Sequence, residues 1–253
     1  MNKTVMLVGD VDTSRIVYNA IKDDFQVVEV IQEKSESIGK FLGRRIKKLG
    51  LLAVGGQVAF FVINKLLKST AKNRIEEIKQ SFDLDTTDYP EDILRQVESA
   101  NSQEVIERLK EINPDVVVVN GTRIISKKVL RSVNIPFINT HTGITPRYRG
   151  VHGGYWALVQ RDAEHCGVTV HLVDPGIDTG DILYQQTIQP QTNDNFNTYP
   201  YLQYAHAIPL IKKAIRDILE NKIQIKKNPL DSQLWYHPTI FEYLKYRVLA
   251  GVK

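Results

Sequence analysis

Apolar and polar positions along this chain follow a strand–helix alternation. Residues 5–8 form a short apolar run, Val5-Met6-Leu7-Val8, which stops at Gly9-Asp10. Residues 14–22 then place Ile16, Val17 and Ala20 at helical spacing, and residues 26–31 form a second run rich in β-branched side chains. Further on, residues 102–112 put Val105, Ile106 and Leu109 on one helical face, and Asn113-Pro114 predicts its end. Val116-Val117-Val118-Val119 is apolar without alternation, the pattern of a parallel strand covered on both faces. Residues 135–139 give another strand, and 168–173 and 181–189 two more around a segment rich in Gly and Asp. A helix is predicted over about residues 199–220, followed by a basic strand candidate and an aromatic stretch from Trp235 to Tyr246. This order predicts an α/β fold, a Rossmann-like doubly wound and mostly parallel sheet with a small C-terminal appendage.

Composition narrows the class. With 42% hydrophobic and 25% charged residues, the 253-residue chain reads as soluble and globular. A single cysteine, Cys166, excludes an internal disulfide framework and multi-cysteine metal sites. Thirty-three Lys and Arg against 29 Asp and Glu leave a net charge of +4, too small an excess to argue for nucleic acid as a partner. The first apolar run is too short for a secretory signal, so a buried strand and a cytoplasmic location are expected. Residues 1–190 are expected to form the main domain and 191–253 the appendage. One insertion, at about 38–72, departs from the pattern. From Lys40 to Lys72 there are eight basic residues and no acidic one, around an apolar stretch at 49–63. A helical insertion folding its apolar side onto the domain or a partner copy in a homo-oligomer is one reading. Peripheral contact of 40–72 with an anionic membrane is the other.

Chemistry concentrates in two segments. Asn139-Thr140-His141 closes a predicted strand, at the sheet edge where open α/β folds bind ligands, and residues two apart point the same way. An amide beside an imidazole can hold a carbonyl oxygen and move a proton near neutral pH. The strand at 168–173 leads into Asp174-Pro175-Gly176-Ile177-Asp178-Thr179-Gly180-Asp181, a tight loop that presents Asp178 and Asp181. A carboxylate near His141 would complete an acid–base set. His152, His165 and His171 with Cys166 match no familiar zinc spacing, so no metal is expected and ordinary core or loop roles are assigned to them. Arg147, Tyr148 and Arg149 are candidates for contact with an anionic acceptor.

Together, Asn139-x-His141, Pro146-x-Tyr148-x-Gly150 and the downstream Val-x-Val-His-x-Val with Ile-Asp-x-Gly resemble the folate-dependent formyltransferase family. That family includes glycinamide ribonucleotide transformylase, methionyl-tRNA formyltransferase and the sugar N-formyltransferases. The resemblance implies transfer of a formyl group from 10-formyltetrahydrofolate to a primary amine, with Asn139, His141 and Asp178 as the catalytic set. It also implies a folate pocket at Gly121, Arg123, Ile124 and Ile125 and at Val173, Asp174 and Gly176.

The departures guide the choice of acceptor. Thr142-Gly143 stands where many members have Pro-Ser. Asp10 and Asp12 stand where the glycinamide enzyme has a phosphate-binding loop, and would repel a ribonucleotide phosphate. About sixty residues follow Gln189, little room for the C-terminal barrel of the tRNA enzyme. An amino sugar carried on a nucleotide is the acceptor expected by elimination, with glycinamide ribonucleotide, methionyl-tRNA or a non-catalytic ligand-binding role as alternatives.

Overall fold

The computed structural model describes residues 2–253. Strand β1 (Lys3–Gly9), helix α1 (Asp12–Ile21) and strand β2 (Gln26–Glu33) open the chain. Three helices follow, α2 (Ile38–Leu49), α3 (Leu51–Thr70) and α4 (Lys72–Ser81), before β3 (Leu94–Val97). Then come α5 (Gln103–Ile112), β4 (Val116–Asn120), α6 (Lys127–Leu130) and β5 (Phe137–His141). A two-residue strand β6 (Arg149–Gly150) and helix α7 (Gly153–Val159) lead to β7 (Gly167–Leu172) and β8 (Ile182–Thr187). Helix α8 (Tyr199–Leu219), strand β9 (Leu234–Trp235) and helix α9 (Ile240–Leu249) complete the order.

Seven strands form one sheet in the order β3-β2-β1-β4-β5-β7-β8. The first five run parallel, and β7 and β8 are antiparallel to their neighbours. Burial on both faces explains the unbroken apolar runs. Met6, Val8, Val116 and Val118 join the core beneath α1 and α8, whereas Val5, Leu7, Val117 and Val119 join the opposite core beneath α5. Strand order reverses at the β1–β4 pair, and the carboxyl ends of β4 and β5 border a cleft beside that switch point.

The elements after residue 190 are continuous with this core. Helix α8 packs on β7 and α1, and Ala207, Ile211, Ala214 and Ile215 are fully buried. Pro209 lies within its helical span. Strand β9 pairs with β6, and α9 packs on α3, so the tail crosses back over the mouth of the cleft. The insertion is helical and half committed. Phe60 of α3 is fully buried, its ring 4.9 Å from Phe196 and 5.0 Å from Tyr243, while α2 has no buried residue.

Two histidines sit where tail and domain meet. His152 Nε2 and His237 Nδ1 are 3.0 Å apart, flanked by Phe196 and Phe61, and Gln57 donates to the His237 carbonyl oxygen at 2.8 Å. Burial, aided by the charge of Arg45, pushes the His237 imidazole down to about 4, and burial foremost holds His152 well below the usual range as well. Both rings are therefore neutral in the fold at neutral pH, whereas the unfolded chain takes up their protons near pH 6.5. Stability is expected to be full above that value and to fall as pH drops from about 6.5 to about 4, by up to about 3 kcal/mol from His237. Thermal melts across that window test this: His237→Asn flattens the acid slope relative to the parent, and an unchanged slope contradicts the assignment.

Candidate active site

Register builds the site. Asn139 and His141 lie two apart on β5, and antiparallel pairing sets His171 of β7 directly opposite Asn139. These side chains therefore share one face of the sheet at its carboxyl edge. Asn139 Nδ2 is 3.2 Å from His171 Nε2 and 3.5 Å from Asp178 Oδ1. His141 Nδ1 is 3.3 Å from Asp178 Oδ2, and His141 Nε2 donates to the Tyr148 carbonyl oxygen at 2.6 Å. His171 Nδ1 donates to the Leu172 carbonyl oxygen at 2.7 Å, which directs its Nε2 at Asn139.

Asp178 is the hub. It has a left-handed backbone, φ 50°, in the loop between β7 and β8. Asp174 ties that loop down, accepting from Gly176 N–H at 3.0 Å and from the Thr179 hydroxyl at 2.7 Å. Gly180 is required there, since any Cβ would overlap the Leu172 carbonyl oxygen. Strand β6 holds the loop from the other side: Gly150 N–H donates to Asp178 Oδ2 at 2.9 Å, and Arg149 Nη1 donates to the Ile177 carbonyl oxygen at 3.1 Å. Burial opposes charge on Asp178. Attraction to His141, contact with His171 and the Gly150 hydrogen bond outweigh it, and hold the carboxyl well below the usual carboxylate range. Asp178 is thus an anion at neutral pH.

The cleft encloses about 890 Å³, within the range of small-molecule sites. Asn139, His141 and Asp178 line it, together with the loop residues Gly121, Arg123, Ile124 and Ile125 and, across from them, Val173, Asp174 and Gly176. Arg123 is tied back: its Nε donates to Glu33 at 2.9 Å and its Nη2 to the Glu98 carbonyl oxygen at 2.6 Å. Its side chain holds the loop in place. Asn101 clamps the same loop through the Ile124 carbonyl oxygen and the Ser126 N–H.

Three expected acceptor contacts lie elsewhere. Arg147 and the buried Tyr148 both donate to Asp162, at 3.1 and 2.7 Å, and Arg149 serves the Asp178 loop, so none of the three lines the cleft. Asp162, Glu164 and His165 cluster on that side, and Asp162 is engaged by Arg147 at 3.1 Å and by His165 Nδ1 at 2.6 Å. Besides Arg123, the cations that line the cleft come from α2: Arg44, Arg45 and Lys48. Arg44 is paired with Glu36 at 2.6 Å, while Lys48 lies 5.3 Å from the centre of the Tyr236 ring. The sequence reading gives His171 an ordinary core or loop role and 38–72 a helical insertion, and places neither at the cleft. Alternation on a strand pairing with β5 signals the first, and the amphipathic basic spacing of 38–49 signals the second.

The class is that of a doubly wound α/β domain with an Asn–His–Asp cluster, its histidine buried, at the switch-point cleft. The chain belongs to the formyl transferase family, whose description, "Formyl transferase", matches residues 38–200. It is 30% identical over 141 residues to a methionyl-tRNA formyltransferase of Caldanaerobacter subterraneus subsp. tengcongensis, covering 55% of this chain and 45% of that one. The chain thus spans a little under half the length of the curated relatives it matches. Among solved structures, glycinamide ribonucleotide transformylase 1 of Symbiobacterium toebii superposes with TM-score 0.59 at 18% identity, covering 89% of this chain and 91% of that one. A sugar N-formyltransferase of Shewanella sp FDAARGOS_354 gives 0.56 at 17% identity, over 92% and 76%. At these identities the structures share the fold.

Gly143 follows from the same geometry. A Cβ there would run into the Tyr148 carbonyl oxygen and lie 2.7 Å from His141 Nε2. Gly143→Ala is therefore expected to displace the acceptor that fixes the imidazole, lowering the melting temperature by several degrees. Calorimetry checks the first effect and the shift of the His141 ring resonances in NMR the second; unchanged values for both contradict the packing described.

Proposed function

We propose that this chain transfers a formyl group from 10-formyltetrahydrofolate to the primary amine of a small, negatively charged acceptor. The observation that carries the reading is the Asn139–His141–Asp178 cluster, held by β5, β6 and the β7–β8 loop around one point of the cleft. The donor supplies an electrophilic formyl carbon. Its fit rests on the cleft volume and on the walls formed by residues 121–125 and 173–177, where Ile124 is 54% exposed and offers an apolar surface for a flat ring.

In this reading Asn139 Nδ2 donates to the formyl oxygen as charge develops on it. His141, anchored through Nε2 to Tyr148, directs Nδ1 toward Asp178. Asp178, kept ionised, orients His141 and helps relay, through water, the proton lost by the attacking amine to the donor nitrogen, which leaves as its bond to the formyl carbon breaks. His171 fixes the Asn139 amide. No covalent bond to the enzyme is required, because holding amine and formyl carbon together in a near-attack geometry supplies much of the acceleration.

The acceptor's charge is inferred from α2. Arg45 and Lys48 face the cleft, and Arg45 is held below its usual range by burial and by Arg44, so an anion at this wall relieves both. The first β–α loop is engaged internally: Asp10 accepts from Arg15 at 2.8 Å and Asp12 from the Tyr201 hydroxyl at 2.7 Å. That disfavours a phosphate at the loop, and with it glycinamide ribonucleotide. A nucleotide-linked amino sugar in the cytoplasm fits best, its diphosphate against α2 and its amine at Asn139.

Mass spectrometry after incubation with 10-formyltetrahydrofolate and an acceptor panel tests this. The panel holds dTDP-, UDP- and GDP-linked amino sugars, glycinamide ribonucleotide and charged initiator tRNA. A formylated sugar nucleotide is expected, with His141→Ala slower by about 100-fold or more while binding the donor within a few-fold. Formylation of the ribonucleotide or tRNA alone contradicts the acceptor assignment, and full turnover by His141→Ala contradicts the mechanism.

A further inference from the structure

The face built from α2, α3 and α9 lacks a partner within the chain. On α2, Ile38, Leu42 and Ile46 recur at helical spacing outside the cleft with no residue buried, and Lys40 and Lys47 are exposed between them. Helix α3 is apolar on both sides. Val54 and Phe60 pack inward, while Leu52 and Leu66 are 92% and 69% exposed and Val58 and Val62 lie between them on the outer side. A helix apolar all round is normally covered on every side.

Helix α9 adds an independent stripe. Phe241, Leu244 and Val248 recur at i, i+3 and i+7, and Phe241 and Val248 are 77% and 82% exposed. This helix packs on α3 through Tyr243 and Phe60, so the two stripes lie on neighbouring elements. Lys65, Lys68 and Lys245 are exposed on the same helices. Residues 40–72 hold eight basic side chains and no acidic one.

We propose that this face docks on an anionic lipid bilayer, with α2 and the outer sides of α3 and α9 lying in the interface. Apolar area enters the headgroup boundary and the exposed lysines outside the cleft meet lipid phosphates. Helix α3 does not span the bilayer, because its inner side is built into the protein core at Phe60. A second copy fits poorly: a two-fold interface would set this acid-free segment against itself, cation against cation. Since α2 also lines the cleft, docking brings the cleft wall to the lipid surface. The inference stands apart from formyl transfer, because binding to vesicles needs neither donor nor acceptor.

Co-sedimentation of the full chain with phosphatidylglycerol/phosphatidylcholine vesicles tests it. Binding is expected to be at least about tenfold stronger than to phosphatidylcholine alone and to weaken as salt rises to about 0.5 M. The variant Leu52→Ser/Val62→Ser/Leu66→Ser/Phe241→Ser is expected to lose binding while keeping its melting temperature and its affinity for 10-formyltetrahydrofolate. A parent protein that stays in the supernatant with anionic vesicles at low salt overturns the proposal. So does a variant that binds as well as the parent, or a parent dimer, seen by light scattering, that the variant breaks.

Discussion

A single half-buried carboxylate organises the cleft. Asp178 carries its charge in a setting where desolvation opposes ionisation, so its partners must be present and correctly placed. They come from three places in the chain: His141 on β5, Gly150 on β6 and His171 on β7. Removing one partner from a buried ion pair typically costs about 3–5 kcal/mol. The loop bearing Asp178, the register of β5 on β7 and the approach of β6 are thus coupled, and no one of them can shift without unpairing the charge.

That coupling explains why the tail belongs to the domain. Strand β9 pairs with β6, whose Gly150 N–H reaches the carboxylate. Trp235 stacks 4.9 Å from Trp156, and its indole N–H donates to the Arg147 carbonyl oxygen at 3.0 Å. Arg147 and Tyr148 converge on Asp162 on the far side of the same turn. Residues that read as candidates for substrate contact thus work by shaping the turn that positions Asp178 and His141. The basic wall on α2 is supplied by the insertion, so that wall and the cluster around Asp178 come from different parts of the sequence.

Much of this was legible from the chain. The covered strand at Val116–Asn120 follows from an unbroken apolar run, the helix at Gln103–Ile112 from a period of 3.6, and the carboxyl-edge placement of Asn139 and His141 from the strand that precedes them. The pairing of Asp178 with His141 rested on resemblance, because proximity across 37 residues leaves no periodic trace. His171 was passed over because a lone histidine on a strand looks like core until its cross-strand neighbour is known. The basic residues Arg147 and Arg149 looked available because sequence does not display Asp162 or the Ile177 carbonyl oxygen beside them. Helix α9 was hidden by aromatic residues, whose weak helix propensity masks the Thr239–Glu242 capping box at its start.

The most direct test is the turnover of Asp178→Asn, which keeps the shape of the side chain and removes its charge. It is measured with 10-formyltetrahydrofolate and the best acceptor, with donor binding followed through fluorescence of Trp235 at the cleft wall. An ionised hub predicts a loss of turnover of about 100-fold or more with donor affinity changed only a few-fold. Turnover within a few-fold of the parent, in a variant that folds and binds the donor, would mean that the charge on Asp178 is not what the site works through.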